Sequence, residues 1–307
     1  MISGPDFKIN VGNSILGIAG YYTDFDGLQH VIVAANDGNV YEVYWNQRFP
    51  PVQRTLTDLG TSLVDIAGFF TDDDEFNHAV GITSDGTLHE LYFKSNGLPN
   101  RNDLPHNLIN SNNFDPKKGA AGFYSPGDSL RHVVIVEKDG HLVDITWSQQ
   151  QSPNRKEITI QPPGGPIASI SGFGYSSTDG NTCHISVAFE DQYGSIYDID
   201  YPDEAHLPQT IGQDHLKTSF GEPVQNVTAF FSRDNNYRHN VVLTKSNLLK
   251  DNAYDIQGNS TGIVLASSSQ FDLQDMTSYY TTDDYLRHVI LATKDGSLYE
   301  ITYTSQG

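Results

Sequence analysis

Ile18–Trp45 reads IAGYYTDFDGLQHVIVAANDGNVYEVYW, and the segment returns with drift in five further copies. IAGFFTDDDEFNHAVGITSDGTLHELYF starts at Ile66, AAGFYSPGDSLRHVVIVEKDGHLVDITW at Ala120 and SISGFGYSSTDGNTCHISVAFEDQYGSIYDIDY at Ser169. NVTAFFSRDNNYRHNVVLTKSNLL from Asn226 and DMTSYYTTDDYLRHVILATKDGSLYEITY from Asp275 complete the set. One histidine per unit sets the register: His30, His78, His132, His184, His239 and His288, separated by 48, 54, 52, 55 and 49 residues. A period of that length is the mark of a repeat architecture.

Turn signals cut each unit into strands. The first strand carries a small residue at one place, Gly20, Gly68, Gly122, Gly172, Ala229 and Ser278, as expected where backbones crowd together. An acidic turn follows, with Asp24 and Asp26, Asp72 to Glu75, Asp128, Asp179, Asp234, and Asp283 with Asp284. A β-branched run such as HVIVAA then breaks at Asn36-Asp37-Gly38, Ser84-Asp85-Gly86, Lys138-Asp139-Gly140 or Lys294-Asp295-Gly296. Asp-Gly between two alternating runs signals a hairpin. The third strand ends on an aromatic at Trp45, Phe93, Trp147, Tyr201 and Tyr303; unit five departs, with Ser246-Asn247 for Asp-Gly and no terminal aromatic.

About 20 variable residues separate each unit from the next, room for a fourth strand; KEITIQPP and TGIVLASS are the clearest candidates. Four antiparallel strands repeated six times predict a single all-β domain over residues 1–307, a six-bladed β-propeller. The blades are expected near 14–60, 61–116, 117–165, 166–221, 222–272 and 273–307, the last completed by residues 1–13, whose FKINVG segment alternates like a strand. An open solenoid would need capping units, which the sequence lacks.

A net charge of -20, with 18 basic residues, sets the chain against phosphate backbones and anionic membranes, so nucleic acid and membrane insertion are not expected. Cys183 is the only cysteine, which leaves no intramolecular disulfide and no cysteine-based metal site. No basic-plus-apolar leader opens the sequence, so the expectation is a soluble chain, cytoplasmic or exported by a non-classical route.

Each repeat histidine is followed by an acid: His30 and Glu42, His78 and Glu90, His132 and Asp144, His184 and Asp198, His239 and Asp251, His288 and Glu300. The separation is twelve residues except in unit four, where a longer turn makes it fourteen. Even spacing across a hairpin puts both side chains on one face, where a carboxylate raises the imidazole pKa. Such a pair serves either as a structural brace or as part of a ligand site. A shared metal is not expected, because one histidine per blade sits too far from its symmetry mates, and no cofactor motif is present. The acidic turns lack the full spacing of a calcium loop and read as solvated turns. No nucleophile elbow, zinc-helix motif or phosphate loop occurs; an enzyme would have to gather residues from several blades in the axial cavity.

The order of a short apolar strand with small residues, a strand opening on a polar residue, D-G, and then x-x-x-E-x-x-W resembles the repeats of the fungal fucose-binding lectins. That resemblance implies sugar sites between blades, with an arginine on the second strand, a glutamate on the third and aromatic rings against the sugar. The family glutamate falls on Glu42, Glu90 and Glu300 and on the aspartates Asp144 and Asp198. The family arginine falls on the repeat histidines or one place earlier, on Arg131, Arg238 and Arg287. The expected partners are then glycans or glycoconjugates, and homo-oligomerisation is compatible with this reading. A protein-interaction scaffold without sugar sites and an enzyme using the axial cavity are the alternatives.

Overall fold

The computed structural model describes residues 7–59, 63–95, 97, 99–103, 113–115, 118–160, 165–177, 180–211, 215–255, 257–267 and 272–304. Blade one comprises strands Ile15–Thr23, Leu28–Ala35, Asn39–Asn46 and Phe49–Asp58, and blade two Leu63–Thr71, Phe76–Thr83, Leu88–Phe93 and Asn100–Asp103. Blade three comprises Ala120–Ser125, Leu130–Val136, Leu142–Trp147 and Asn154–Ile160, and blade four Ile167–Ser177, Gly180–Phe189, Ser195–Tyr201 and Leu216–Ser219. Blade five runs Val224–Ser232, Tyr237–Thr244, Leu248–Tyr254 and Ser260–Ser267. Blade six takes Leu273–Tyr280, Arg287–Thr293 and Ser297–Tyr303 from the C-terminal part and its outer strand, Phe7–Asn10, from the N-terminal part. Ile9 pairs with Leu298 and Asn10 with Ser297, so two ends of the chain share one sheet. Every first strand packs on the first strands of both neighbours, which closes the ring as a six-bladed propeller. The two-residue strand Thr210–Ile211, running parallel to the edge of blade three, is an addition the repeat did not announce.

Radial packing explains the composition of the second strands. In Leu28–Ala35 all eight residues are buried, with no alternation, because both faces of the sheet lie against a neighbouring blade. Val31 joins a cluster with Ile290 of blade six, while Ile32 joins one with Ile66 and Phe93 of blade two. Burying such a side chain fully contributes roughly 1.5–3 kcal/mol. The outer strand Phe49–Asp58 is largely exposed, and Pro50 and Pro51 blunt it as an edge.

The small residue of the first strand meets the preceding blade as predicted. A Cβ on Gly122 would lie 2.6 Å from the Ala67 Cβ, and one on Gly20 would lie 2.7 Å from the Thr277 methyl. Blade six holds Ser278 there, and its hydroxyl turns the close approach into a hydrogen bond with Thr228 at 3.0 Å.

Two readings of the turns change. Unit five does possess its terminal aromatic: Tyr254 pairs with Arg238 as Trp147 pairs with Arg131, and Asn247 takes the left-handed position (φ 63°) that glycine fills in the Asp-Gly hairpins. The acidic turns are only partly solvated. Asp24 and Asp72 are exposed, but Asp26, Asp74, Asp128 and Asp284 are half-buried and accept the backbone N–H two residues on, at 3.0–3.1 Å. Each precedes a residue in the left-handed region, respectively Gly27, Glu75, Ser129 and Tyr285. Asp179 lies outside the described residues.

Candidate functional site

The repeat histidines are buried and stacked. Tyr21, Phe69, Phe123, Phe173, Phe230 and Tyr279, one place after the small residue of each first strand, lie face to face with them at centroid distances of 4.5–5.4 Å. The ring Nδ1 donates to the third-strand acid in five blades: His30 to Glu42 (2.8 Å), His78 to Glu90 (3.0 Å), His132 to Asp144 (2.9 Å), His239 to Asp251 (2.8 Å) and His288 to Glu300 (2.8 Å). The partners are diagonal neighbours, since His30 stands directly opposite Tyr44 and Glu42 opposite Ile32. In four of these blades a turn aspartate approaches the other ring nitrogen, Asp26, Asp74, Asp128 or Asp284, at 3.4–3.8 Å.

Blade four differs from the predicted pairing. His184 Nδ1 donates to Asp200 (2.7 Å), which stands directly opposite it, while the predicted partner Asp198 lies 3.5 Å from Nε2 and also accepts from Ser186 and from Asn240 of blade five. The cause is the acid at position 200, where blades one and two carry Tyr44 and Tyr92: it captures the imidazole and is itself paired with Arg238.

These brackets decide the charge on the rings. Burial works against protonation, yet Asp144 and the nearby Asp128 push His132 up to about 9, and Asp198 and Asp200 do the same for His184. His30, His78 and His288 are raised by their two acids against the same penalty. Burial likewise opposes ionisation of Asp128, but His132 and Ser125 hold it down at about 2.

The predicted arginines belong to different clefts from the histidines beside them. Successive residues of a strand face opposite sides of the sheet. His132 therefore faces blade four, while Arg131 turns back to blade two, where it bonds Asp74 at 2.5 Å and Asp73 at 3.3 Å. Arg287 bonds Asp234 of blade five in the same way, at 2.8 and 3.0 Å. Arg131 thus meets His78 and Glu90 rather than His132 and Asp144, and Arg287 is separated from His288 and Glu300 by the thickness of its own strand.

Between blades two and three these groups surround a cavity of about 310 Å³. Phe76, Tyr92 and Trp147 give it aromatic walls, and Asp74, Glu90 and Arg131 give it charge. Glu90 accepts from His78, from the Trp147 indole N–H (3.0 Å) and from Asn102 (3.3 Å). Gln149 donates to Asp74 at 3.0 Å. Arg131 is 2 % exposed, and its Nη1 is buried without a hydrogen-bond partner. Such an orphaned donor calls for an acceptor. Of this site the sequence singled out His78, Glu90 and Arg131. Trp147 was visible as a strand-ending aromatic, but Asn102 lay in a stretch without repeat pattern, and the role of Asp74 depends on the next blade.

A search of solved structures places this geometry among known propellers. AofleA from Arthrobotrys oligospora superposes with a TM-score of 0.71 at 16% identity, over 97% of this chain and 86% of that one. The fucose-specific lectin from Aleuria aurantia gives 0.64 at 12% identity, over 99% and 94%. The BP39L lectin from Burkholderia pseudomallei gives 0.62 at 16%, over 94% and 81%. The chain shares the six-bladed β-propeller fold of these proteins. At these identities the likeness is one of architecture. No protein-family model matches the sequence, and no curated protein matches it. Among the described residues no group of three or more His, Cys, Asp or Glu is placed to hold a metal, and no helix is long and apolar enough to cross a membrane.

Proposed function

We propose that this propeller binds carbohydrate in the clefts between its blades, with the cleft of blades two and three as the principal site and glycans or glycoconjugates as partners. The observation that carries the reading is the unpartnered Nη1 of buried Arg131 beside the Trp147 ring and a cavity about the size of a monosaccharide with its hydration. A sugar supplies what that wall lacks: a hydroxyl acceptor for the guanidinium and an apolar ring face for the aromatics. Fucosides are the first ligands to try, because SapL1 lectin and Aleuria aurantia lectin, which share the fold, are described in complex with methyl fucosides. His78 and Glu90 would act mainly by fixing this wall, and the pairs His30–Glu42, His132–Asp144 and His288–Glu300, with Asp198 and Arg287, are the corresponding positions in the other clefts. The test is calorimetric titration with α-methyl-L-fucoside and a panel of free monosaccharides, followed by a glycan array. Binding that disappears in Trp147→Ala while the melting transition stays cooperative is the expected result; no binding to any sugar would end the reading.

A second reading has one observation of its own. The axial cavity, about 390 Å³, carries the buried carboxylate of Asp65 and the half-buried one of Asp275, both close to the Gly17–Ile18 backbone. Burial raises Asp275 to about 6, and burial with the Asp275 charge raises Asp65 well above the carboxylate range. Carboxyls whose ionisation is opposed in this way could perform acid–base chemistry there. Hydrolysis of a chromogenic glycoside abolished by Asp275→Asn would favour that enzyme over the lectin.

A further inference from the structure

One residue of the outer strand distinguishes the cleft of blades one and two from that of blades two and three. Opposite the third-strand acid stands Arg54 in blade one and Asn102 in blade two, a single repeat position. We infer that Arg54 is a built-in occupant of the cleft between blades one and two, filling the place that a sugar takes between blades two and three. The inference rests on the carbohydrate reading of the latter cleft.

Its basis is where the guanidinium lies. Arg54 Nε donates to Glu42 Oε2, and Nη1 points to the Gly97 carbonyl at 3.5 Å. The guanidinium carbon sits 5.3 Å from the Phe93 ring centre and 5.7 Å from that of Tyr44. Phe93 and Tyr44 occupy the repeat positions of Trp147 and Tyr92, the two rings that wall the open cavity. The arginine therefore satisfies the glutamate and covers the aromatic faces at once, the two services a bound sugar would perform. Asn102 is shorter: it reaches Glu90 Oε2 at 3.3 Å and leaves the space before Trp147 empty. The opposite wall changes in step. Where blade three places Arg131, blade two has Asn77, which reaches Ser95 at 3.5 Å. Each cleft thus receives one guanidinium, from the outer strand in the closed cleft and from the following blade in the open one, so that neither buried glutamate faces a cluster of acids alone.

The experiment exchanges the two residues in the full chain. Arg54→Asn and Asn102→Arg are titrated with α-methyl-L-fucoside, or with the best monosaccharide found for the parent, by calorimetry and by Trp147 fluorescence. Arg54→Asn is expected to raise the number of sites by one relative to the parent with the fluorescence response of the original site unchanged. Asn102→Arg should lower the number by one and abolish the fluorescence response, with a cooperative melt retained. Because Arg54→Asn removes a cation from Glu42, Arg54→Gln serves as a second opening variant that keeps a hydrogen-bond donor. Parent binding with an unchanged site count in folded Arg54→Asn and Arg54→Gln, or with Asn102→Arg still binding as the parent does, overturns this inference alone. A parent that binds no sugar overturns the carbohydrate reading and this inference together.

Discussion

The cleft between blades two and three and the cleft between blades five and six use the same positions for different ends. Each is bolted by a buried arginine reaching back to the preceding turn, Arg131 to Asp73 and Asp74, Arg287 to Asp234. In each, the ring that ends the third strand bonds the acid of the preceding blade, Trp147 to Glu90 at 3.0 Å and Tyr303 to Asp251 at 3.1 Å. The faces then diverge. Opposite the acid stands Asn102 in one cleft and Ile263 in the other, where it packs into the core. Asn235 takes the turn position of Asp74. The lesson is that the arginine's grip on the preceding turn is common to both clefts, while the outer-strand residue and the aromatic decide whether its free Nη1 faces room for a ligand.

The bolts set the largest expected effect. Arg131→Met strands the nearly buried Asp74, and removing one partner of a buried ion pair costs about 3–5 kcal/mol; Arg287→Met leaves Asp234 exposed to water and should cost less. Urea denaturation should show both losses. Sugar titration should be lost only for Arg131→Met; equal loss in both would erase the distinction between the clefts.

Charge on the histidines sharpens the comparison through pH. His132 and His184, raised from 6.5 to about 9, stabilise the fold fully below pH 6.5, and that contribution is lost as pH rises toward 9. Asp128, lowered from 3.8 to about 2, contributes fully above its unfolded value and loses that contribution as pH falls toward 2. Melting temperature should therefore be highest between roughly pH 4 and 6.5, and His132→Gln should flatten the alkaline side by a part of its slope. An alkaline side unchanged in that variant would mean that the buried ring is neutral.

The acids come next. Glu90→Gln and Asp251→Asn each leave a histidine and an aromatic donor poorly matched, on the order of 1–3 kcal/mol, with Glu42→Gln and Glu300→Gln in the same range. Thermal melts measure this, and a Glu90→Gln protein that melts like the parent but loses sugar binding would make that glutamate a direct ligand contact rather than a brace. The smallest effect is at the turns: Tyr285 is exposed at φ 61°, where blade one uses Gly27. Tyr285→Gly should stabilise by no more than about 1 kcal/mol, the relief of a left-handed side chain being partly offset by glycine's greater freedom when unfolded. A loss of stability would show that the tyrosine ring is a contact worth more than the strain.

Much of the fold was legible because the blade is a local object. Asp-Gly turns, the run HVIVAA and the small residue of the first strand lie within one repeat, and FKINVG could be recognised as a strand without a partner nearby. In unit five the turn was placed at Ser246-Asn247, where asparagine tolerates the left-handed position nearly as glycine does, but the unit was followed only to Leu249 and its terminal aromatic Tyr254 was missed. The histidine–acid pairs were legible for the same reason of proximity. What was missed at His184 is Asp200, an extra acid that takes Nδ1 while Asp198 stays near Nε2, and that is itself paired with Arg238 of the following blade.

The sequence by itself determined the repeat, the strand order, the outer strand that closes the last blade and which histidine meets which acid in five of six units. The tertiary structure alone decided the clefts. Arg131 and Asp74 are 57 residues apart, and their meeting depends on one blade's rear face lying on the next blade's front. Since neighbours along a strand point to opposite faces, Arg131 and His132 enter different clefts, and no spacing within a repeat records that separation. Whether Arg54 fills a cleft or Asn102 leaves one open rests on side-chain length across the gap between blades, a distance that only the closed ring sets.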